Sequence, residues 1–380
     1  MMARAGRAGV LSLILLLTGP ALALAQVSWE ATVEQYAARL AADVQTDAVG
    51  GVVAGVVVDG DLVWAGAWGW ADRDHNVPMS TSSVSRTGSI SKSVTALLMM
   101  RLVDQGLLDL DDPVRLHLPE IDGLLEARPG AKSVTYRHLA SHTGGLAREP
   151  NWRESFVGPI EMWEDRILKS IPRTAFDSIP GGRYQYSNIG FGILGLALSR
   201  AAGRPYMDLV RDEVFVPLGM TGSAFVVVGA ELEPRLAAGY VVQDGVVSGE
   251  YPAREHAGRG YKVPNGGVYS TVADLGRFLG AVSGVPGLDV LSAESRAEMI
   301  RIQTPESRES GYGLGLSVIV DGDGTQIMSH GGSVAGYTAY MAVDAETRVG
   351  VVLLRNYGSG ETNLGAFARA WVTDLRASGL

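Results

Sequence analysis

Apolar and polar residues alternate along this chain in distinct rhythms, and the rhythm changes several times. From Trp29 to Val44 the apolar positions Val33, Tyr36, Ala37, Leu40 and Val44 recur at helical spacing behind Ser28, a suitable N-cap. Gly51 to Val58 and Asp61 to Trp70 are β-rich runs joined by Asp59-Gly60, a dipeptide that favours a tight hairpin turn. A strongly apolar helix is predicted next, carried by Val94, Leu97, Leu98, Leu102 and Val103 and stopped at Gly106. Asp109, Asp111, Asp112 and Pro113 then predict a turn and a fresh helix start. Val134 to Leu139 begins another short helix, closed at Thr143-Gly144-Gly145. Ile189 to Ala202 reads as an apolar helix ended by Gly203, and Ser270 to Leu279 as one capped by Ser270 or Thr271. Strand character returns at Gly315 to Val320, Tyr337 to Val343 and Gly350 to Leu354, before a closing helix from Thr362 to Leu375.

Strands at both ends and helices between them predict an α+β sandwich. Its antiparallel sheet is built from both chain ends and flanked by helices, with a mainly helical middle region. The sheet parts are expected at about 26–85 and 285–380 and the helical part at about 86–284, within one domain over 26–380.

Composition narrows the setting. The chain has 380 residues, a net charge of −9 and no block of basic residues, so nucleic acid is not an expected partner. Arg4 and Arg7, the apolar run Val10 to Leu17 and the small-x-small triplet Ala23-Leu24-Ala25 form a signal-peptide pattern over 1–25. Cleavage after Ala25 and a periplasmic or secreted location are the expectation. The apolar run is too short to span a bilayer comfortably, so no stable membrane insertion is expected after removal. The chain has no cysteine, which excludes disulfides and a thiol nucleophile.

The candidate chemistry begins at Thr87-Gly88-Ser89-Ile90-Ser91-Lys92. Ser89 and Lys92 lie three apart and share a face if a helix starts here. An amine buried against the following apolar helix favours its neutral form, able to take the serine proton. Of the four lysines (Lys92, Lys132, Lys169, Lys262), only Lys92 has a serine three residues before it. A second constellation is Tyr186-Ser187-Asn188, the only Y-x-N in the chain. Its phenol can relay a proton if a nearby ammonium lowers its pKa, and its amide can orient a substrate carbonyl and hydrogen-bond Lys92. The third is Ser329-His330-Gly331-Gly332-Ser333, at the end of one β-rich run and before the next. Its glycines permit close backbone approach, its strand edge can hold a substrate amide, and His330 would add a donor beside the serine and tyrosine.

In the order S-x-x-K, Y-x-N, H-x-G, the chain resembles the serine β-lactamase-like superfamily, within the group of class C β-lactamases, DD-peptidases and family VIII esterases. Leu108-Asp109-Leu110-Asp111-Asp112-Pro113, Arg137 to Leu146 and Gly266-Gly267-Val268-Tyr269-Ser270-Thr271 add to the resemblance. It implies a β-lactamase/transpeptidase-like fold, Ser89 as acylated nucleophile, and Lys92 and Tyr186 sharing the proton work. It also implies Asn188 as the substrate-positioning amide, and an oxyanion hole from the backbone N–H groups of Ser89 and Ser333. By the same resemblance His330, Gly331, Gly332 and Ser333 would line the substrate. His330 stands where the lactamases usually carry lysine, and a neutral imidazole offers only a hydrogen bond where lysine offers permanent charge. The expectation is an exported serine hydrolase acting on amide, ester or β-lactam carbonyls of a small molecule or peptide. A D-Ala-D-Ala carboxypeptidase, a D-aminopeptidase or a short-chain esterase with little lactamase activity is the alternative, and a catalytically silent penicillin-binding-like module is another.

Two rival chemistries fit less well. His138 and His142 have zinc-helix spacing, but Leu139 stands where that motif needs glutamate. The pair is expected to pack and to hydrogen-bond a loop under the site. No G-x-S-x-G elbow occurs, and strands do not alternate with helices as an α/β-hydrolase requires. No metal or organic cofactor is expected.

Overall fold

In a computed structural model of the protein, residues 28–125, 133–304, 309–320 and 324–380 are described. The signal-peptide expectation for 1–25 lies outside them. The predicted N-terminal helix is α1 (Trp29–Asp47), with the Ser28 side chain accepting from the Ala31 amide. The hairpin follows as β1 (Gly51–Val58) and β2 (Asp61–Asp72), and β2 pairs outward with β3 (Val77–Pro78). Asp59 and Gly60 turn between the first two strands with φ of 50° and 78°, the left-handed geometry this hairpin turn demands. The later helices used below are α2 (Ser91–Asp104), α3 (Asn188–Ala202) and α4 (Val272–Ser283). The C-terminal part supplies β4 (Ser310–Tyr312), β5 (Ser317–Val320), β6 (Gln326–Val334), β7 (Tyr337–Asp344) and β8 (Val349–Arg355), then α5 (Leu364–Ala377).

These strands form one eight-stranded sheet in the order β3-β2-β1-β8-β7-β6-β5-β4, every pair antiparallel. The two chain ends meet at its centre, where β1 pairs with β8 from Val52↔Arg355 to Val58↔Val349. Period-two alternation sorts the side chains onto two faces. Val52, Ala54, Val56, Val351 and Leu353 face α1 and α5, alongside Val33, Leu40, Phe367 and Trp371. Val53, Val57, Val352 and Leu354 face the larger core, which α2, α3 and α4 fill. Both faces are covered, so β8 is buried at every position and reads as a continuous apolar run.

Several expectations change in detail. The helix predicted after Pro113 is only a 3-10 turn, Val114–Leu116, followed by Pro119–Ile121 and a short helix Asp122–Leu125. Pro119, which cannot donate to a helix interior, breaks the run. The middle region also contains small antiparallel pairs, Ser85–Arg86 with Tyr269–Ser270 and Val241–Gln243 with Val246–Ser248. Ser329 to Ser333 is not a link between strands but the body of β6. Gly331 and Gly332 weaken local strand preference, and pairing with β7 overrides it. No described helix is long and apolar enough to cross a membrane.

Candidate active site

Ser89 sits on a 3-10 turn, Gly88–Ile90, that runs directly into α2. Two polar clamps fix this turn to the segment before α4. Thr87 donates through its amide (3.0 Å) and its hydroxyl (2.9 Å) to the Val268 carbonyl. Ser91 Oγ donates to Gly88 O at 2.7 Å and accepts from the Val268 amide at 3.0 Å. Behind them α2 is buried almost along its whole length, which carries Lys92 to 0 % exposure.

Burial is the largest influence on Lys92 and holds its amine well below the ordinary lysine range; the Glu149 charge opposes this and Arg148 reinforces it. Lys92 Nζ lies 3.0 Å from Ser89 Oγ and donates to the Asn265 carbonyl, also at 3.0 Å. Across the serine, Tyr186 donates its hydroxyl to Ser89 Oγ at 2.8 Å. Burial, the largest influence, raises the Tyr186 phenol above its ordinary value. The Ser89 hydrogen bond and the Arg148 charge act to lower it, but burial outweighs them, so the net lowering expected from a neighbouring ammonium is not found. Ser89 Oγ thus accepts from the phenol and lies against an amine whose burial favours the neutral form that can take a proton.

The Tyr186-Ser187-Asn188 segment is held from below by the His142 loop. His142, with φ of 60°, accepts the Ser187 amide at Nδ1 (3.1 Å), and its ring centroid lies 4.2 Å from that of Tyr186. Ser187 caps α3, accepting from Gly190 and donating to the Ala147 carbonyl. His138 has a different task, closing a capping box with Thr135 at the start of a short helix, Tyr136–Ala140. Asn188 does not bond Lys92; its Nδ2 donates to Glu149 Oε1 at 2.7 Å. The Tyr261 hydroxyl donates to the other oxygen of Glu149.

On the opposite side runs β6. A Cβ on Gly332 would stand 1.8 Å from Thr87 O and 3.0 Å from Ser89 N, and one on Gly88 would stand 2.8 Å from Ser333 N. Only paired glycines let the two backbones meet so closely, and the contact brings the Ser89 and Ser333 amides to one gap. β5 pairs with β6 only as far as Ser329↔Ser317, so His330 to Val334 present an edge that β5 leaves open.

His330 lies beside this edge but is turned inward, 5 % exposed. Its Nδ1 donates to Gly331 O at 2.7 Å, since a carbonyl only accepts, and Nε2 therefore accepts from the Tyr312 hydroxyl at 2.8 Å. The ring keeps no N–H for a substrate, contrary to the expectation of an added donor there. Burial first, and Lys92 second, push its pKa down to about 3.

The structure therefore gathers Ser89, Lys92 and Tyr186 at hydrogen-bond distance. It sets Gly332 and Ser333 against the serine turn and Asn188 on Glu149, and gives His330 to the wall. Sequence reasoning missed Asn265 and Glu149. The only signals were position: Asn265 precedes Gly266-Gly267, and Glu149 follows the His142-Thr143-Gly144-Gly145 loop.

Comparison with known proteins finds relatives that match over most of the chain. The chain is 26% identical over 309 residues to Beta-lactamase-like protein 2 of Dictyostelium discoideum, covering 79% of this chain but only 55% of that protein, so it spans about half that relative's length. It is 31% identical over 305 residues to Esterase EstB of Burkholderia gladioli, covering 71% of this chain and 76% of the esterase. The octameric penicillin-binding protein homologue from Pyrococcus abyssi superposes with a TM-score of 0.74 at 26% identity, over 90% of this chain and 77% of the other. The sequence model of the Beta-lactamase family matches residues 30–372, and the chain belongs to that family.

Proposed function

We propose that the protein is a serine hydrolase that works through a Ser89 acyl-enzyme on amide, ester or β-lactam carbonyls. One observation carries the reading: Ser89 Oγ lies between the fully buried Lys92 amine at 3.0 Å, whose burial favours the neutral form, and the Tyr186 phenol at 2.8 Å, whose burial favours the protonated form. Lys92 takes the serine proton as Oγ attacks the carbonyl carbon. The tetrahedral oxyanion lies between the Ser89 and Ser333 amides. Tyr186 hands its proton to the leaving amine or alkoxide and is reprotonated through Lys92. Water then repeats the cycle in reverse on the acyl-enzyme and releases the acid.

The inward-facing, neutral His330 leaves the open β6 edge without a fixed cation at that position. Neutral esters and amides therefore suit this site better than leaving groups that depend on a lysine-bound carboxylate. The N-terminal pattern supports export with cleavage after Ala25, which N-terminal sequencing of the exported protein tests.

The decisive experiment is labelling with a fluorescent fluorophosphonate and turnover of p-nitrophenyl butyrate, nitrocefin and a D-Ala-D-Ala peptide by wild type and Ser89→Ala. Labelling at Ser89 and loss of all turnover in Ser89→Ala are expected. Full butyrate hydrolysis by Ser89→Ala would refute the assignment.

A further inference from the structure

Tyr186 has to give its proton to the departing group, and most of what surrounds it makes that costly. Burial favours the neutral phenol over the phenolate. His142 packs on the buried side of the ring, 4.2 Å away between centroids, and its own burial favours the uncharged imidazole. Lys92 Nζ stands 4.8 Å from the ring centroid, but burial favours its uncharged form until it has taken the serine proton. Tyr261 and Tyr312 are phenols that burial also keeps protonated. The Glu149 charge opposes a phenolate outright.

Arg148 is the exception. Its carbonyl accepts the amides of Asn188 at 2.9 Å and Ile189 at 3.4 Å, which pins the residue at the start of α3 beside Tyr186. Its guanidinium is exposed, lies 4.9 Å from the Tyr186 ring centroid, and makes no ion pair or hydrogen bond among the described residues. A guanidinium keeps its charge at every working pH. After burial and the Ser89 hydrogen bond, its charge is the next influence on the phenol, ahead of the opposing Glu149. A cation over a neutral phenol gains modestly, whereas over a phenolate it gains a full attraction between opposite charges. Resting on the acyl-enzyme reading above, we infer that Arg148 is a positioning residue for the proton of Tyr186: its fixed charge over the ring favours the phenolate that forms as the proton leaves. The Tyr186 O–H bond breaks as the leaving oxygen or nitrogen gains the proton. The proton that Lys92 took from Ser89 then restores the phenol. The benefit grows with the basicity of the leaving group, because a weakly basic one departs as an anion without being protonated.

The test follows acylation, read as kcat/KM, on p-nitrophenyl, phenyl and p-methoxyphenyl butyrate with wild type, Arg148→Met and Arg148→Lys, alongside thermal melts that establish folding. The three esters share one acyl group and differ in how much the leaving oxygen needs a proton. Arg148→Met is expected to lose about tenfold on the p-methoxyphenyl ester and less than about threefold on the p-nitrophenyl ester, a part of the ~10²–10⁴ that acid–base assistance supplies. The alkaline limb of its kcat/KM profile moves to higher pH, because without the cation the phenol holds its proton longer. Arg148→Lys, which keeps a cation, restores most of both readouts. An equal loss on all three esters, no loss on any, an alkaline limb left in place, or no restoration by lysine overturns the inference. Fluorophosphonate labelling runs in parallel. If wild type neither labels at Ser89 nor turns over any ester, the acyl-enzyme reading fails and this inference falls with it. If wild type does both and Arg148→Met keeps the wild-type dependence on leaving group, only the role of Arg148 is overturned.

Discussion

Gly332→Ala tests the closest backbone contact in the site. The added Cβ would stand 1.8 Å from Thr87 O, and reaching even the 3.0 Å limit of real contacts requires β6 and the serine turn to separate by about 1.2 Å. Neither side yields easily. Thr87 is bound through both its amide and its hydroxyl to Val268 O, and β6 is paired with β7 from Ile327 to Val334. A shift of that size draws the Ser333 amide away from the oxyanion, and loss of one such donor costs ~10²–10³ in kcat. Overpacking of this kind also costs about 1–3 kcal/mol of stability. The assay is kcat on p-nitrophenyl butyrate with the fluorophosphonate labelling rate, alongside a thermal melt that establishes folding. Gly266→Ala is the control: it neighbours Asn265, which holds Lys92, yet its Cβ meets nothing within 4 Å. A folded Gly332→Ala enzyme with kcat within about threefold of wild type would mean that the contact between β6 and the serine turn does not set the oxyanion geometry.

Two further expectations follow from the ionisation states. Lys92→Ala should lower kcat by ~10²–10⁴ while the protein stays folded, and Tyr186→Phe should lose less than Ser89→Ala; equal losses for Tyr186→Phe and Ser89→Ala in ester turnover would put the phenol at the centre of the chemistry. His330 bears on stability: its folded pKa is about 3 against 6.5 for the free side chain. The unfolded chain therefore binds a proton that the folded chain refuses throughout that window, and stability drops as pH falls from about 6.5 toward about 3. At pH 4.5 this one group accounts for about 2–3 kcal/mol, at ~1.4 kcal/mol per pKa unit. Urea midpoints at pH 7 and 4.5 should show a smaller difference in His330→Gln than in wild type, and an unchanged difference would contradict the buried neutral ring.

Features governed by neighbouring residues were legible in the chain, and those governed by distant ones were not. The Asp59-Gly60 hairpin, the Ser28 cap and the Ser89–Lys92 spacing are local matters of turn geometry and helical period. β6 was obscured because two glycines hide a strand whose stability comes from β7 and from the serine turn. Asn265 holds Lys92 through its backbone carbonyl, a contact that leaves no trace in side-chain identity. Glu149 acquires its meaning only when the fold brings Tyr261, 112 residues away, onto its second oxygen. His330 advertised an imidazole, but nothing local announced that Tyr312 would occupy one of its nitrogens.

The pairing of β1 with β8 also sets an order of assembly. Ser89 is synthesised early, whereas Ser333 comes 244 positions later and the strand that closes the sheet onto β1 ends only at Arg355. For most of translation the nascent polypeptide therefore carries an ordinary alcohol with no oxyanion partner. A chain cut short before β8 lacks the strand that joins β1 to β7 at the centre of the sheet.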